Sequence, residues 1–113
     1  MHEISIMTEA VRMAEEAVQA AGGQRITTLR LRIGTMSGAV PEAIRFAWDV
    51  VTEGTMAAGA QLEIESVPAA SWCGRCQAEF PVAKSFSECP TCHQISHELR
   101  RGRELGIDFV EME

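Results

Sequence analysis

Residues 73–92 read Cys-Gly-Arg-Cys-Gln-Ala-Glu-Phe-Pro-Val-Ala-Lys-Ser-Phe-Ser-Glu-Cys-Pro-Thr-Cys. Two Cys-x-x-Cys knuckles, Cys73/Cys76 and Cys89/Cys92, stand 12 residues apart. Two intervening residues let both sulfurs of a knuckle converge on one ion, and two knuckles supply the four thiolates of a tetrahedral site. Gly74 and Pro90 suit the tight turns this requires. Between the knuckles the only sizeable apolar residues are Phe80, Pro81, Val82 and Phe86. The segment therefore cannot fold on apolar burial alone, and metal binding is expected to be coupled to its folding. Structural Zn(II) is the expected ion; two local redox pairs and a rubredoxin-like iron site are the alternatives. A site that uses every thiolate leaves no open position for zinc catalysis.

On the amino-terminal side of the knuckles the apolar pattern is regular. Ile4, Met7, Val11, Ala14 and Val18 recur at spacings of 3 and 4, which predicts one face of a helix ended by Gly22-Gly23. Ile26 to Ile33 alternates, with Leu29, Leu31 and Ile33 on one side and Thr28, Arg30 and Arg32 on the other, as in a strand with one buried face. Pro41 and Glu42 open a second helix with the stripe Ile44, Ala47, Trp48 and Val51, which stops at Gly54. Gln61 to Val67 reads as a second strand, with Leu62 and Ile64 inward. Its Glu63 and Glu65 would face Arg30 and Arg32 if the two strands are neighbours.

From residue 69 to 103 apolar periodicity is lost. It returns at Glu104: Leu105 and Ile107 alternate, then Val110 and Met112 alternate in the opposite phase. The slip at Asp108-Phe109 predicts a bulge or an edge strand. So short a strand needs the earlier sheet. The expected fold is α+β: a small three-stranded sheet with two helices, and a zinc-ribbon-like four-cysteine module inserted before the last strand. The boundaries are 1–68 plus 104–113 for the α+β part and 69–103 for the zinc-binding part. The exposed C-terminal edge strand also permits a homodimer.

Composition narrows the function classes. The 113 residues are 46% hydrophobic and 23% charged, with net charge −6, which excludes wholesale disorder and disfavours binding to nucleic acid or anionic membrane. The one basic run, Arg100-Arg101-Gly102-Arg103, lies just before the last strand. Residues 71–103 carry +2, which a zinc–tetrathiolate centre of charge −2 would cancel. A zinc-ribbon module binding nucleic acid or a protein complex is nevertheless the alternative reading, with Trp72 as its one candidate stacking aromatic. No membrane-length apolar run and no signal-peptide pattern is present, so a cytoplasmic location with reduced thiols is expected. No nucleophile–base pair, phosphate loop or triad appears, and no enzyme activity is expected.

The first residues, Met1-His2-Glu3, form a second candidate site. An amine, the His2 amide nitrogen and the His2 imidazole can make fused chelate rings, a donor set that suits Ni(II) or Cu(II). Glu3 or a second imidazole could add a fourth donor. Taken alone, such a triplet is more often a terminal residue followed by a helix-start carboxylate.

Met1-His2-Glu3, the strand region Leu29 to Gly34, the paired knuckles and the short acidic C-terminal strand together resemble the HypA/HybF family, nickel-insertion accessory proteins of NiFe-hydrogenase maturation. The resemblance covers essentially the whole chain. It implies a metallochaperone that binds Ni(II) transiently and Zn(II) structurally. By it His2 is the key nickel ligand, beside Glu3 and the Met1 backbone, and Cys73, Cys76, Cys89 and Cys92 hold zinc. It implies a HypB-type GTPase and the hydrogenase large subunit as partners, with urease maturation proteins for some members. In some members each knuckle is followed by His; here Cys92 is followed by His93 but Cys76 by Gln77. Whether His93 or His97 reaches the nickel is a separate question, and for His97 a surface position is the expectation.

Overall fold

The computed structural model describes residues 3–82 and 87–113. Its elements run α1 (Glu3–Ala20), β1 (Ile26–Gly34), α2 (Pro41–Val51), β2 (Gln61–Val67), β3 (Ala70–Cys73), β4 (Ala78–Pro81), β5 (Ser87–Glu88), β6 (Ile95–Ser96), β7 (Leu99–Arg101) and β8 (Leu105–Met112). The α+β class, the helices and the three long strands follow the sequence pattern.

Helix α1 buries Met7, Val11, Ala14 and Val18. Ile4, expected on that face, is 52% exposed, because the core begins one turn later at Met7. The helix ends in a Schellman motif: Gly22 takes φ +80°, its N–H donates to Gln19 O, and the Gly23 N–H donates to Val18 O at 2.9 Å. Pro41 opens α2 behind an extended Val40 that makes no side-chain cap, and Ile44, Ala47 and Trp48 are buried. Val51 is only half-buried at the edge of the core.

Strand β1 is central in the order β2-β1-β8. It pairs parallel with β2 across the α2 crossover and antiparallel with β8. The β1–β2 register sets Arg30 opposite Glu63 and Arg32 opposite Glu65. In the β1–β8 ladder Arg30 opposes Phe109 while Leu31 opposes Ile107, so Asp108 is the extra residue of a bulge. Leu29, Leu31, Ile33 and Leu62 join the buried residues of both helices in one core.

The described residues of 70–101 hold more regular structure than their apolar pattern predicts. A second sheet has the order β4-β3-β7, and β5 pairs with β6. These strands are two to four residues long, too short for an alternating pattern to emerge. A second apolar cluster consists of Cys73, Phe80 and Cys89, with Cys76, Val82 and Cys92 against it, and shares no residue with the first. The principal extents are 54 × 26 × 17 Å and the radius of gyration is 17.4 Å. A chain of this length folded as one sphere-like body would have about 13 Å.

The two segments that lead into and out of residues 70–101 cross at the end of β1. The N–H groups of Gly34, Thr35 and Met36 donate to the carbonyls of Glu104, Val67 and Gly102, respectively. Ala69 N–H donates to Thr35 Oγ1 at 3.0 Å, and Gly102 N–H donates to the Glu104 carboxylate at 2.7 Å. One short loop is thereby bonded to both segments.

Candidate metal centres

The four sulfurs of Cys73, Cys76, Cys89 and Cys92 all lie within 4.8 Å of one another. Cys73 and Cys92 are 3.5 Å apart and Cys76 and Cys89 are 3.9 Å apart, both across the knuckles. A tetrahedron with metal–sulfur bonds of ~2.3 Å has an edge of about 3.8 Å, which the two cross-knuckle pairs match, so the cluster fits Zn(II) once its widest pairs draw in. None of the four is in a disulfide. Cys73 and Cys89 are buried and Cys76 and Cys92 half-buried, so the centre is closed on one side by protein.

The knuckles are built alike. The residue after each second cysteine takes left-handed backbone geometry, Gln77 at φ 54° and His93 at φ 64°. This turns the chain away from the metal position just after it supplies its thiol. Gln77 Nε2 donates back to Gly74 O, and His93 N–H donates to Cys89 O at 2.8 Å. The Cys76 N–H points at Cys73 Sγ, 3.4 Å away, the hydrogen bond to sulfur that a thiolate ligand accepts.

Crowding drives these thiols apart in acidity. Hydrogen bonding with Cys92, then burial and the other sulfurs, pushes the Cys76 thiol up to about 12. The Cys92 and Thr91 backbone N–H groups help hold Cys89 down to about 6. Four thiolates cannot share this space without a cation, and a divalent ion supplies the missing charge.

Met1 and His2 lie outside the described residues. Glu3 is the first residue of α1 and is half-buried. That end of α1 lies beside the start of β8: Ser5 and Leu105 line one groove, and Leu105 follows Glu104, which is bonded to Gly34. His93 is 72% exposed, 3.8 Å from the Glu88 carboxylate, and His97 is exposed.

Other features of this region were not legible from sequence. Arg100 lies over the Trp72 ring at 4.4 Å and also bonds Glu98, while Arg101 pairs with Glu79 at 2.7 Å. Two of the three arginines of the basic run are therefore engaged within the chain. The spacing of Trp72 and Arg100 carries no signal, because β3 and β7 meet only through the fold.

The fold and the sulfur cluster define a small α+β metalloprotein with a four-thiolate centre. Comparison with known proteins narrows this. Residues 1–112 match the family described as hydrogenase/urease nickel incorporation, metallochaperone, HypA. The hydrogenase maturation factor HypA of Picosynechococcus sp. is 41% identical over 112 residues, 99% of each chain. That of Geobacter sulfurreducens is 40% identical over 113 residues, the whole of both chains. The solution structure of the Ni metallochaperone HypA from Helicobacter pylori shares the fold with a TM-score of 0.67 at 21% identity, covering 99% of this chain and 97% of that one. A further solution structure of a HypA protein gives a TM-score of 0.72 at 23% identity, covering 100% and 97%. The chain belongs to the HypA family of nickel-incorporation metallochaperones.

Proposed function

We propose that the chain carries Ni(II) on its first residues, Met1, His2 and Glu3, and hands it to a maturing NiFe-hydrogenase. His2 is the principal donor, with Glu3 and the Met1 backbone beside it. The observation that carries this reading is the match of residues 1–112 to the nickel-incorporation metallochaperone family. Glu3 opens α1, and two residues on, Ser5 lines one groove with Leu105 at the start of β8. A few nitrogen and oxygen donors at a helix start suit a carrier, since ligands must exchange for delivery, and proton competition weakens them as pH falls.

Cys73, Cys76, Cys89 and Cys92 hold structural Zn(II), which fixes the two knuckle turns and does no chemistry. The chain is a carrier and not an enzyme. The proposed division is a nickel-binding part, 1–68 with 104–113, and a zinc-binding part, 69–103; the two apolar clusters with no common residue support it. A HypB-type GTPase and the hydrogenase large subunit are the proposed partners, with urease maturation proteins as a second destination. The proposed location is the cytoplasm; among the described residues no helix is long and apolar enough to cross a membrane. Net charge −6 and the engagement of Arg100 and Arg101 weigh against the nucleic-acid alternative.

An extension placed ahead of Met1 tests the site. It should abolish tight nickel binding while leaving zinc content unchanged. Equal nickel affinity with and without the extension would move the nickel site elsewhere.

A further inference from the structure

The sheet is open on one side. β8 is an edge strand, and among the described residues nothing pairs with its outer edge. The opposite edge is blunted, because Arg45 Nη1 reaches over to donate to Leu62 O on β2. Beside β8, α1 overhangs a groove of about 420 Å³ walled mainly by Ile6, Ala10, Met13, Leu105 and Ile107. Met13 is 50% exposed and Leu105 is 38% exposed. An unpaired backbone edge next to an apolar wall is the geometry that accepts an added strand, whose alternate side chains fill the groove.

Charge identifies the occupant. On the other face of the sheet Glu63 and Glu65 of β2 oppose Arg30 and Arg32 of β1, and β8 adds two acids, the bulge residue Asp108 and Glu111, which stands opposite Thr28. Arg30 is in ion-pair range of Glu63, Glu65 and Asp108 at once. Glu111 is exposed and has no ion pair among the described residues. Asp108 already has Arg30 as its counter-charge, so Glu111 is the acid of β8 that a cation on an added strand would pair. A second copy of β8 does not fit, since residues 104–113 contain Glu104, Asp108, Glu111 and Glu113 and no Lys or Arg. Self-pairing would set acid against acid. We propose that β8 and the α1 groove receive an extended segment of a partner protein in which Lys or Arg alternates with apolar residues, added as a fourth strand. The proposal is independent of which residues hold nickel.

The test uses the zinc-loaded full chain with two short peptides, one alternating Lys with Val and one alternating Glu with Val. Binding is followed by calorimetry and by amide hydrogen exchange. The Lys–Val peptide should bind and slow exchange at residues 105–112, while the Glu–Val peptide should not bind. Glu111→Lys should weaken the Lys–Val peptide about fivefold, the scale of exchanging one attractive cross-strand charge pair for a repulsive one. Met13→Asp, an exposed change that leaves the core intact, should remove binding by wetting the groove. Equal binding of both peptides, or binding without protection of β8, overturns the proposal. So does finding β8 already protected in the free chain by self-association.

Discussion

Gly34 and Gly102 meet backbone to backbone: a Cβ on Gly34 would overlap the carbonyl of Gly102. Gly102 itself holds φ +118°, and a Cβ there would stand 2.6 Å from the Ala69 Cα and Cβ. Both obstacles are backbone or the first side-chain atom, which cannot swing away.

Gly34→Ala and Gly102→Ala are therefore each expected to cost about 2–4 kcal/mol of stability, measured by denaturant titration. Gly106→Ala is the control, since its Cβ would meet nothing within 4 Å; it should stay within about 0.5 kcal/mol. Three equal effects would mean that the crossing at residues 34–36 is not tightly packed.

Glu104 gives the same junction a pH signature. Backbone N–H groups, its own and that of Gly102, hold its carboxyl below the usual 4.5, with Arg32 and Arg101 adding to this. A depressed carboxylate stabilises the fold fully above its ordinary range, and that contribution is lost as pH falls through the lower folded value. Glu104→Gln should therefore be less stable than wild type near neutrality, and the gap should close in acid. Unfolding midpoints at about pH 7 and about pH 3 check this; a gap that persists in acid would assign the effect to something other than ionisation.

Arg30 is the positive centre of the open sheet face, with Glu65 at 3.0 Å, Glu63 and Asp108 at 3.5 Å, and the Phe109 ring beneath it at 5.9 Å. Its side chain is 34% exposed, so water screens these pairs. Arg30→Met should cost about 1 kcal/mol after that discount, most of it recovered at high salt where the three carboxylates repel less. An undiminished loss at high salt would point to packing instead of charge.

Cys73→Ala should release zinc, and acid should do the same in wild type, because binding needs thiolates and returns protons. Amide spectra should lose dispersion for residues 70–101 and keep it for residues 26–67, since the main core contains no residue of the cysteine cluster. Collapse of both sets of signals would show a single cooperative unit and contradict the proposed division.

Periodicity is legible where an element is long enough to repeat it. The α1 stripe, the β1 alternation and even the Asp108 bulge stand in the sequence, the last because a slip in phase reverses the face of every later side chain. The cysteine spacing is legible because it encodes a coordination geometry. Strands of two to four residues repeat nothing, so β3 to β7 were invisible. The pairing of Arg100 with Trp72 and the contact of Gly34 with Gly102 depend on segments brought together only by the finished fold. Ile4 failed because a stripe shows which side of a helix faces inward but not how far the core extends along it.

The central claim is that His2 binds nickel while the four cysteines hold zinc. The direct test is calorimetric titration of Ni(II) near neutral pH into untagged wild type and His2→Ala, with zinc measured on the same samples. Wild type should bind a single nickel, the variant should not, and both should retain a single zinc. Equal nickel binding by the two proteins, or none by either, would contradict the account.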